Sequence, residues 1–422
     1  MSLRTLAATC GAVLLAQFSI SPIAFAASAP GHWVTAWATA LQPIPQQANL
    51  PPLYRAPNVA GRTVRQIVYP TLSGSAVRLH VSNEYGSTPL VIQELRIARS
   101  TGGAAVQSNG GERASFDGKP SVTVPPGGAV DSDPVAIDVV SGVPYAISSY
   151  MGSEQKLVAW HRVSNQVNYV SLPGNHASDA LSGAFSQRFT QFAWVTGLEV
   201  DVPSAGTVAA IGDSITDGMR SSLNENRRWP DALSRRLARA GDGSTAVVNL
   251  GISGNRLLND SPCYGDALVK RFGRDVLEHP GVKTAILLIG INDINFSSTP
   301  ARAGLDCDFP HTSVTAADLI AGYERVIAEA HHHGVRVFGA TLTPAALPPQ
   351  RESIRLAVNQ WVRTSKALDG VADFDAALRD PSHPDLLQRT YDSGDHIHPS
   401  DTGYAEMAAA VPLEAVVNST RK

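Results

Sequence analysis

The stretch Thr207-Val-Ala-Ala-Ile-Gly-Asp-Ser-Ile-Thr-Asp-Gly218 constrains the fold more than any other part of the chain. Its apolar run stops abruptly at Gly212-Asp213-Ser214, the pattern of a buried strand that delivers a serine at its carboxyl end. Val208 to Ile211 is short and made of small and β-branched residues, which suits a central parallel strand covered on both faces. Gly212 and Gly218 let the chain turn sharply on either side of the hydroxyl. Open α/β sheets hold their ligands outside the carboxyl ends of such strands, so Ser214 becomes a candidate functional residue. The competing reading is a surface strand-to-helix turn whose hydroxyl only caps the helix.

The pattern changes just before this stretch, at the breaker segment Pro203-Ser-Ala-Gly206. From His32 to about Asp201 short alternating segments are separated by glycine, proline and serine. Val77–Val81, Leu95–Ile97, Val122–Val124, Val135–Val139 and Phe192–Val200 each put every second side chain on one face, as half-buried antiparallel strands do. This region is expected to be a β-sandwich or a jelly-roll. Beyond Gly206, apolar strands are expected at Val208–Ile211, Ala246–Leu250, Ala285–Ile289, Val335–Ala340 and Val371–Phe374. Amphipathic helices lie between them: Trp229–Ala240, with Pro230 in its first turn, and Ala316–His333, with Thr315 as N-cap and Gly334 as stop. Such alternation predicts a parallel sheet between layers of helices.

The chain has 422 residues, 43% hydrophobic and 17% charged, with a formal net charge of −3. That length predicts more than one domain, and that balance offers no basic footprint for nucleic acid or for an anionic membrane surface. Residues 1–26 have the pattern of a secretory signal: Arg4, an apolar stretch to Phe25, and a small-x-small cleavage site at Ala24-Phe25-Ala26. A secreted or periplasmic location follows as an expectation, with domains at 27–205 and 206–422. Removal of the leader takes Cys10 with it. Cys263 and Cys307 then remain in an oxidising compartment, where a disulfide between them is expected over two free thiols.

Four segments of the second domain end in side chains suited to chemistry: Gly212-Asp-Ser214, Asn249-Leu-Gly-Ile-Ser-Gly-Asn255, Gly290-Ile-Asn-Asp293 and Asp395-His-Ile-His398-Pro. In this order, over about residues 206–415, they resemble the sequence blocks of the SGNH (GDSL) hydrolase superfamily. The resemblance implies a three-layer α/β/α, flavodoxin-like hydrolase domain acting on carboxylic esters without a cofactor. It further implies Ser214 as nucleophile, His398 as base, Asp395 as its orienting carboxylate, and Gly254 and Asn292 as oxyanion-hole donors. Ile215 stands where the family commonly has leucine after the serine.

Physical chemistry supports those roles independently. A serine hydroxyl is a weak nucleophile until a positioned imidazole takes its proton, and the imidazole needs a partner that fixes its tautomer. Asp395 and His398 are three residues apart in a turn closed by Pro399, near enough for that contact. The amides of Ser214 and Gly254 and the Asn292 side chain would then meet the oxyanion, with Gly254 letting the backbone approach closely. Several other readings compete. Asp395, His396 and His398 could be metal ligands, although alternate residues of an extended segment point to opposite sides. His331-His-His333 is read as the end of a helix, Asp293 as a cap of the segment that follows, and Arg227-Arg-Trp229 either as cleft lining or as the opening of a helix. The expected substrates are O-acetyl groups on polysaccharide or short acyl and aryl esters, with lipid esters as the alternative. A carbohydrate-binding protein with an inactive hydrolase domain is the rival of another class. No metal, nucleic acid partner or stable membrane insertion is expected, and oligomeric state is left open.

Overall fold

The computed structural model describes residues 31–47 and 49–417, and those from His32 onward form one compact unit. The leader expected at residues 1–26 lies outside the described residues.

The first half of the unit is β-rich. One antiparallel sheet runs in the order Trp33–Ala38, Val195–Asp201, Gly74–Ser82, Val135–Val139, and Ala129–Asp131 also pairs with the third of these strands. A second is ordered Gln187–Phe189, Asn168–Pro173, Arg62–Val68, Tyr145–Met151, Leu90–Gly102 and Ala105–Val106. Period-two alternation explains the core they share. Val77, Leu79 and Val81 are buried while Arg78 and His80 between them are partly exposed, and from the other sheet Leu95 and Ile97 enter the same cluster. The strand expected from Phe192 starts only at Val195, because Phe192 exchanges backbone hydrogen bonds with His161 instead.

The second half is built on five parallel strands: β1 (Gly206–Gly212), β2 (Thr245–Gly251), β3 (Val282–Leu288), β4 (Arg336–Ala340) and β5 (Gly370–Ala372). Their order is β2-β1-β3-β4-β5, so the chain reverses direction across the sheet between β1 and β3. Ser214 therefore leaves the carboxyl end of β1 at a topological switch point, where doubly wound sheets place their ligands. All of β1 is buried, as expected of a strand with cover on both faces. The helices are α1 (Ser214–Asp217), α2 (Trp229–Arg239), α3 (Leu268–Phe272), α4 (Ile291–Phe296), α5 (Ala316–His332), α6 (Pro349–Thr364), α7 (Phe374–Leu378), α8 (Asp401–Ala410) and α9 (Leu413–Val416).

Helix α2 shows how this core forms. Trp229, Leu233 and Leu237 recur at four-residue spacing and are fully buried, with Trp229 against Phe374 at 5.4 Å between ring centroids. Burying each large apolar side chain contributes about 1.5–3 kcal/mol, which outweighs the helix's weak polar face contacts. Arg228 and Asp231 close its first turn, so the Arg227-Arg-Trp229 segment opens a helix. At α5, Thr315 is the expected N-cap and forms a capping box with Asp318, and Gly334 follows in a left-handed conformation. His331 binds Asp369 and His333 binds the Glu329 carbonyl, so the histidine tract is spent on the helix end.

The two halves are joined through strand Trp33–Ala38. Thr35 N–H donates to Pro280 O at 2.9 Å, and Thr207 Oγ1 donates to Thr35 O at 2.8 Å. At the edge strand β2, Thr71 Oγ1 donates to Val247 O at 2.9 Å. These bonds cover backbone groups that an open sheet edge would expose.

Candidate active site

At the end of β1 the chain must turn within one residue. Gly212 allows this, since a Cβ there would run into the Leu288 carbonyl of β3. Asp213 then caps α1 by accepting from Ile215 N–H at 3.0 Å, which leaves the Ser214 side chain facing the cleft. Asp213 is fully buried, and burial pushes its carboxyl up to about 7. The cap of this turn is thus the aspartate, and the serine hydroxyl is free for other work.

That hydroxyl lies 2.9 Å from His398 Nε2, and His398 Nδ1 lies 2.8 Å from Asp395 Oδ2. Asp395 Oδ1 also accepts the backbone N–H groups of Ile397, at 3.1 Å, and His398, at 2.8 Å, so the turn before Pro399 grips its carboxylate. Burial works against the charge of Asp395, but these hydrogen bonds from His398 and Ile397 outweigh it and hold the carboxyl well below the usual carboxylate range. Arg220 donates to the same Oδ2 at 3.0 Å from the exposed side. His396 takes a different partner, Asp392, at 2.6 Å. The two histidines of His-x-His thus serve separate carboxylates, and among the described residues no group of three or more side chains could hold a metal ion.

Gly254 and Asn292 line the same open cleft as Ser214 and His398, a space of about 470 Å³. Gly254 has φ +86°, and a Cβ there would meet the Tyr264 ring at 2.5 Å, so backbone conformation and space both demand glycine. The N–H groups of Ser214 and Gly254 make no hydrogen bond to the described residues. Asn292, which lines the cleft, donates from Nδ2 to Asn255 O at 2.9 Å, which holds its amide in place. The structure therefore brings together all five residues read from the sequence: Ser214, Gly254, Asn292, Asp395 and His398.

Asp293 does not cap its own helix as expected. It is buried and accepts the N–H groups of Leu257 and Leu258, at 2.8 and 3.0 Å, tying the start of α4 to the loop after β2. Burial pushes its carboxyl up to about 6, with the Leu257 and Leu258 amides opposing. Arg271, fully buried, completes this scaffold: it donates to Gly212 O, Leu250 O and Asn255 Oδ1 at 2.9–3.0 Å and pairs with Asp275. One guanidinium thereby holds the ends of β1 and β2 and the loop that presents Gly254.

Sequence reasoning missed a second contact set, which comes from the β-rich half. The segment 161–167, between strands Ala159–Trp160 and Asn168–Pro173, lies against α1 and the loop beyond it. His161 Nε2 sits 3.0 Å from Asp217 Oδ1, and Asp217 Oδ2 accepts the N–H and hydroxyl of Ser253 at 2.9 and 2.5 Å. Asn165 donates to Gly218 O at 2.5 Å. Only Asp217, in the Gly-Asp-Ser-Ile-Thr-Asp stretch, and Ser253, beside Gly254, carried a signal in the sequence.

The disulfide Cys263–Cys307 is present, with 5.0 Å between Cα atoms. It joins the loop after β2 to the segment after α4, and Tyr264, beside Cys263, is the residue whose ring covers Gly254. Closing a loop with a sequence separation of 44 is worth about 4 kcal/mol in the chain-entropy account. Reduction is expected to lower the unfolding free energy by up to that amount, about 4 kcal/mol, as measured by denaturant titration with and without reductant. It is also expected to lower kcat more than it raises KM, since it loosens the floor of the site.

A parallel sheet that presents a serine, imidazole and carboxylate in line, beside unclaimed amides, defines a serine hydrolase acting on carboxylic esters. Residues 210–406 match the model of the GDSL-like lipase/acylhydrolase family, and this part of the chain is a domain of that family. Among solved structures, the chain is similar to a catalytic mutant of an acetylxylan esterase from Geobacillus stearothermophilus, at 20% identity over 51% of this chain and 97% of that one, with a TM-score of 0.38. It is also similar to a GDSL-like lipase from Bacteroides thetaiotaomicron VPI-5482, at 17% identity over 51% of this chain and 89% of that one, with a TM-score of 0.35. No curated protein matches.

With Asp395 held ionised through mildly acid solution, His398 is the one group whose protonation should stop proton transfer from Ser214. Acidification is therefore expected to lower kcat/KM with a slope of about one on logarithmic axes, checked by initial rates across pH. A steeper fall, needing a second proton, would bring in the buried Asp213 and contradict the assignment of a single base.

Proposed function

We propose that this protein is a secreted serine esterase that removes short acyl groups, O-acetyl groups on polysaccharide foremost, through an acyl-enzyme. The observation that carries the reading is the alignment of Ser214 Oγ, His398 and Asp395 at hydrogen-bond distances. In this reading His398 takes the Ser214 proton as the hydroxyl attacks the ester carbonyl. The developing oxyanion is met by the Ser214 and Gly254 amides and by Asn292. His398 then returns the proton to the leaving alcohol, and water repeats the sequence to release the acid. Asp395 holds the ring so that Nε2 faces Ser214.

The domain division at residue 206, the three-layer flavodoxin-like arrangement and the sandwich-like first domain belong to the same reading. It is supported by the strand order β2-β1-β3-β4-β5 and by the core shared between the two antiparallel sheets. The Ala24-Phe25-Ala26 pattern and the disulfide both favour export. No helix among the described residues is long and apolar enough to cross a membrane.

Initial rates on a graded series of esters, from acetyl to long-chain acyl, together with release of acetate from acetylated xylan, test the proposal. Highest kcat/KM on acetyl or other short esters supports it. A maximum at long chains would favour the lipid-ester alternative, and absence of turnover on the whole series would favour a binding protein with an inactive hydrolase domain.

A further inference from the structure

The cleft contains a cation that the protein leaves without a counterion. Arg162 follows His161 in the segment that the β-rich half lays against the catalytic half, and it lines the cleft together with Ser214 and His398. It is 7% exposed, and its Nε is buried without a hydrogen-bond partner. Among the described residues no carboxylate approaches its guanidinium within 4.0 Å, and none accepts a hydrogen bond from it. Instead Cζ stands 5.4 Å from the ring centroid of Tyr54 and 5.8 Å from that of Tyr264. Aromatic faces steady a guanidinium and leave its edge donors unused.

The other buried arginines of the molecule contrast with this one. Arg271 pairs with Asp275, Arg355 with Asp375 and Glu352, and Arg65 and Arg256 spend both terminal nitrogens on backbone carbonyls, so that even Arg256, whose Nε is unpartnered like that of Arg162, has its charge solvated by the protein. A desolvated charge without partners is costly, and folds retain one where a ligand supplies the missing group. The cleft carries a second cation, Arg351, which donates to Asn295 Oδ1 at 2.8 Å and pairs with no carboxylate among the described residues. Its lining contains no aspartate or glutamate at all.

We propose that Arg162 is the anchor of an anion subsite, and that the preferred ester carries a carboxylate close to the bond that is cleaved. The inference rests on the ester-hydrolase reading above and narrows its substrate class. It also accounts for the β-rich half, which supplies the residue that selects the substrate while the α/β half supplies the groups that cut it. The carboxylate can belong to the acyl part, as in a half-ester of a dicarboxylic acid, or to the alcohol part, as in an acylated uronic acid.

Two matched pairs of esters test this on the full-length mature enzyme. The acyl-side pair is monoethyl succinate against ethyl butyrate, which differ by carboxylate for methyl. The alcohol-side pair is O-acetylated galacturonic acid against O-acetylated galactose. The expected result is a kcat/KM about 10–100-fold higher for the charged member of one pair, the range of a charge-assisted hydrogen bond, falling as salt is added. The pair that shows it identifies which part of the substrate carries the anion. In Arg162→Met the ratio should drop to about one, and in Arg162→Lys, which keeps the charge but not the fork of donors, it should lie in between. Equal or better turnover of the neutral member in both pairs overturns the subsite and leaves the ester-hydrolase reading standing, as does a preference that survives Arg162→Met. Turnover of none of the four esters overturns both. Should Arg162→Met not fold, the wild-type ratio, its salt dependence and Arg162→Lys still decide.

Discussion

Replacing Ser214 by alanine is expected to lower kcat by about 10⁴–10⁶-fold, the range found when the nucleophile of a serine hydrolase is removed. Nothing else in the cleft can take its place. His398 Nε2 is aimed at Ser214 Oγ, and without that oxygen the imidazole has only water to activate. Stability should hardly change, because the substitution removes a single hydroxyl whose hydrogen bond is to His398 and leaves the Asp213 cap of α1 intact. Rates on a short-chain ester, with circular dichroism to confirm folding, check this. Turnover within tenfold of wild type would remove Ser214 from the mechanism.

Asp395→Asn is expected to cost about 10³–10⁴-fold in kcat, with a much smaller change in KM. The carboxylate acts in two ways. It accepts from the His398 and Ile397 amides, which shapes the turn, and it meets His398 Nδ1, which sets the tautomer. An asparagine can keep the first set of bonds through its carbonyl while turning its amide donor toward Nδ1. Nε2 then carries the proton and can no longer accept one from Ser214. Near-normal kcat would mean that proton transfer through His398 does not depend on the Asp395 carboxylate, and would contradict the tautomer role given to it.

How much of this is open to the sequence depends on how local the determining contacts are. The strands β1 to β3 are legible because each is an apolar run ending in a block of polar and glycine residues, so the burial signal and the site signal coincide. Helix α5 is legible from its N-cap threonine, Thr315, and its glycine stop. Helix α6 is not, because its buried face carries Arg355 and Asn359 beside Val358 and Val362, which breaks the apolar period. Both polar residues reach the Leu342 backbone beyond β4, a tertiary demand that no local pattern reveals.

The same reason hides the contribution of the β-rich half. His161 and Asp217 are 56 residues apart, and only the packed molecule brings them within hydrogen-bond distance. Asp293 departs from expectation for a related cause. A carboxylate in the first turn of a helix ordinarily caps it, but here two amides from the loop after β2 lie closer to its oxygens and claim them. The candidate residues Ser214, Gly254 and Asn292 are thus written just after strand ends and Asp395 and His398 in the short turn before α8, whereas the residues that hold them are written in distances along the chain.

The central claim is that Ser214 is the nucleophile of an acyl-enzyme, and it is tested most directly by intact and peptide mass spectrometry after brief exposure to a fluorophosphonate ester. The expected result is one adduct per chain, on the peptide containing Ser214, absent from Ser214→Ala and abolished when the protein is unfolded beforehand. An adduct on any other residue, or no adduct in a preparation that still hydrolyses esters, would contradict the account.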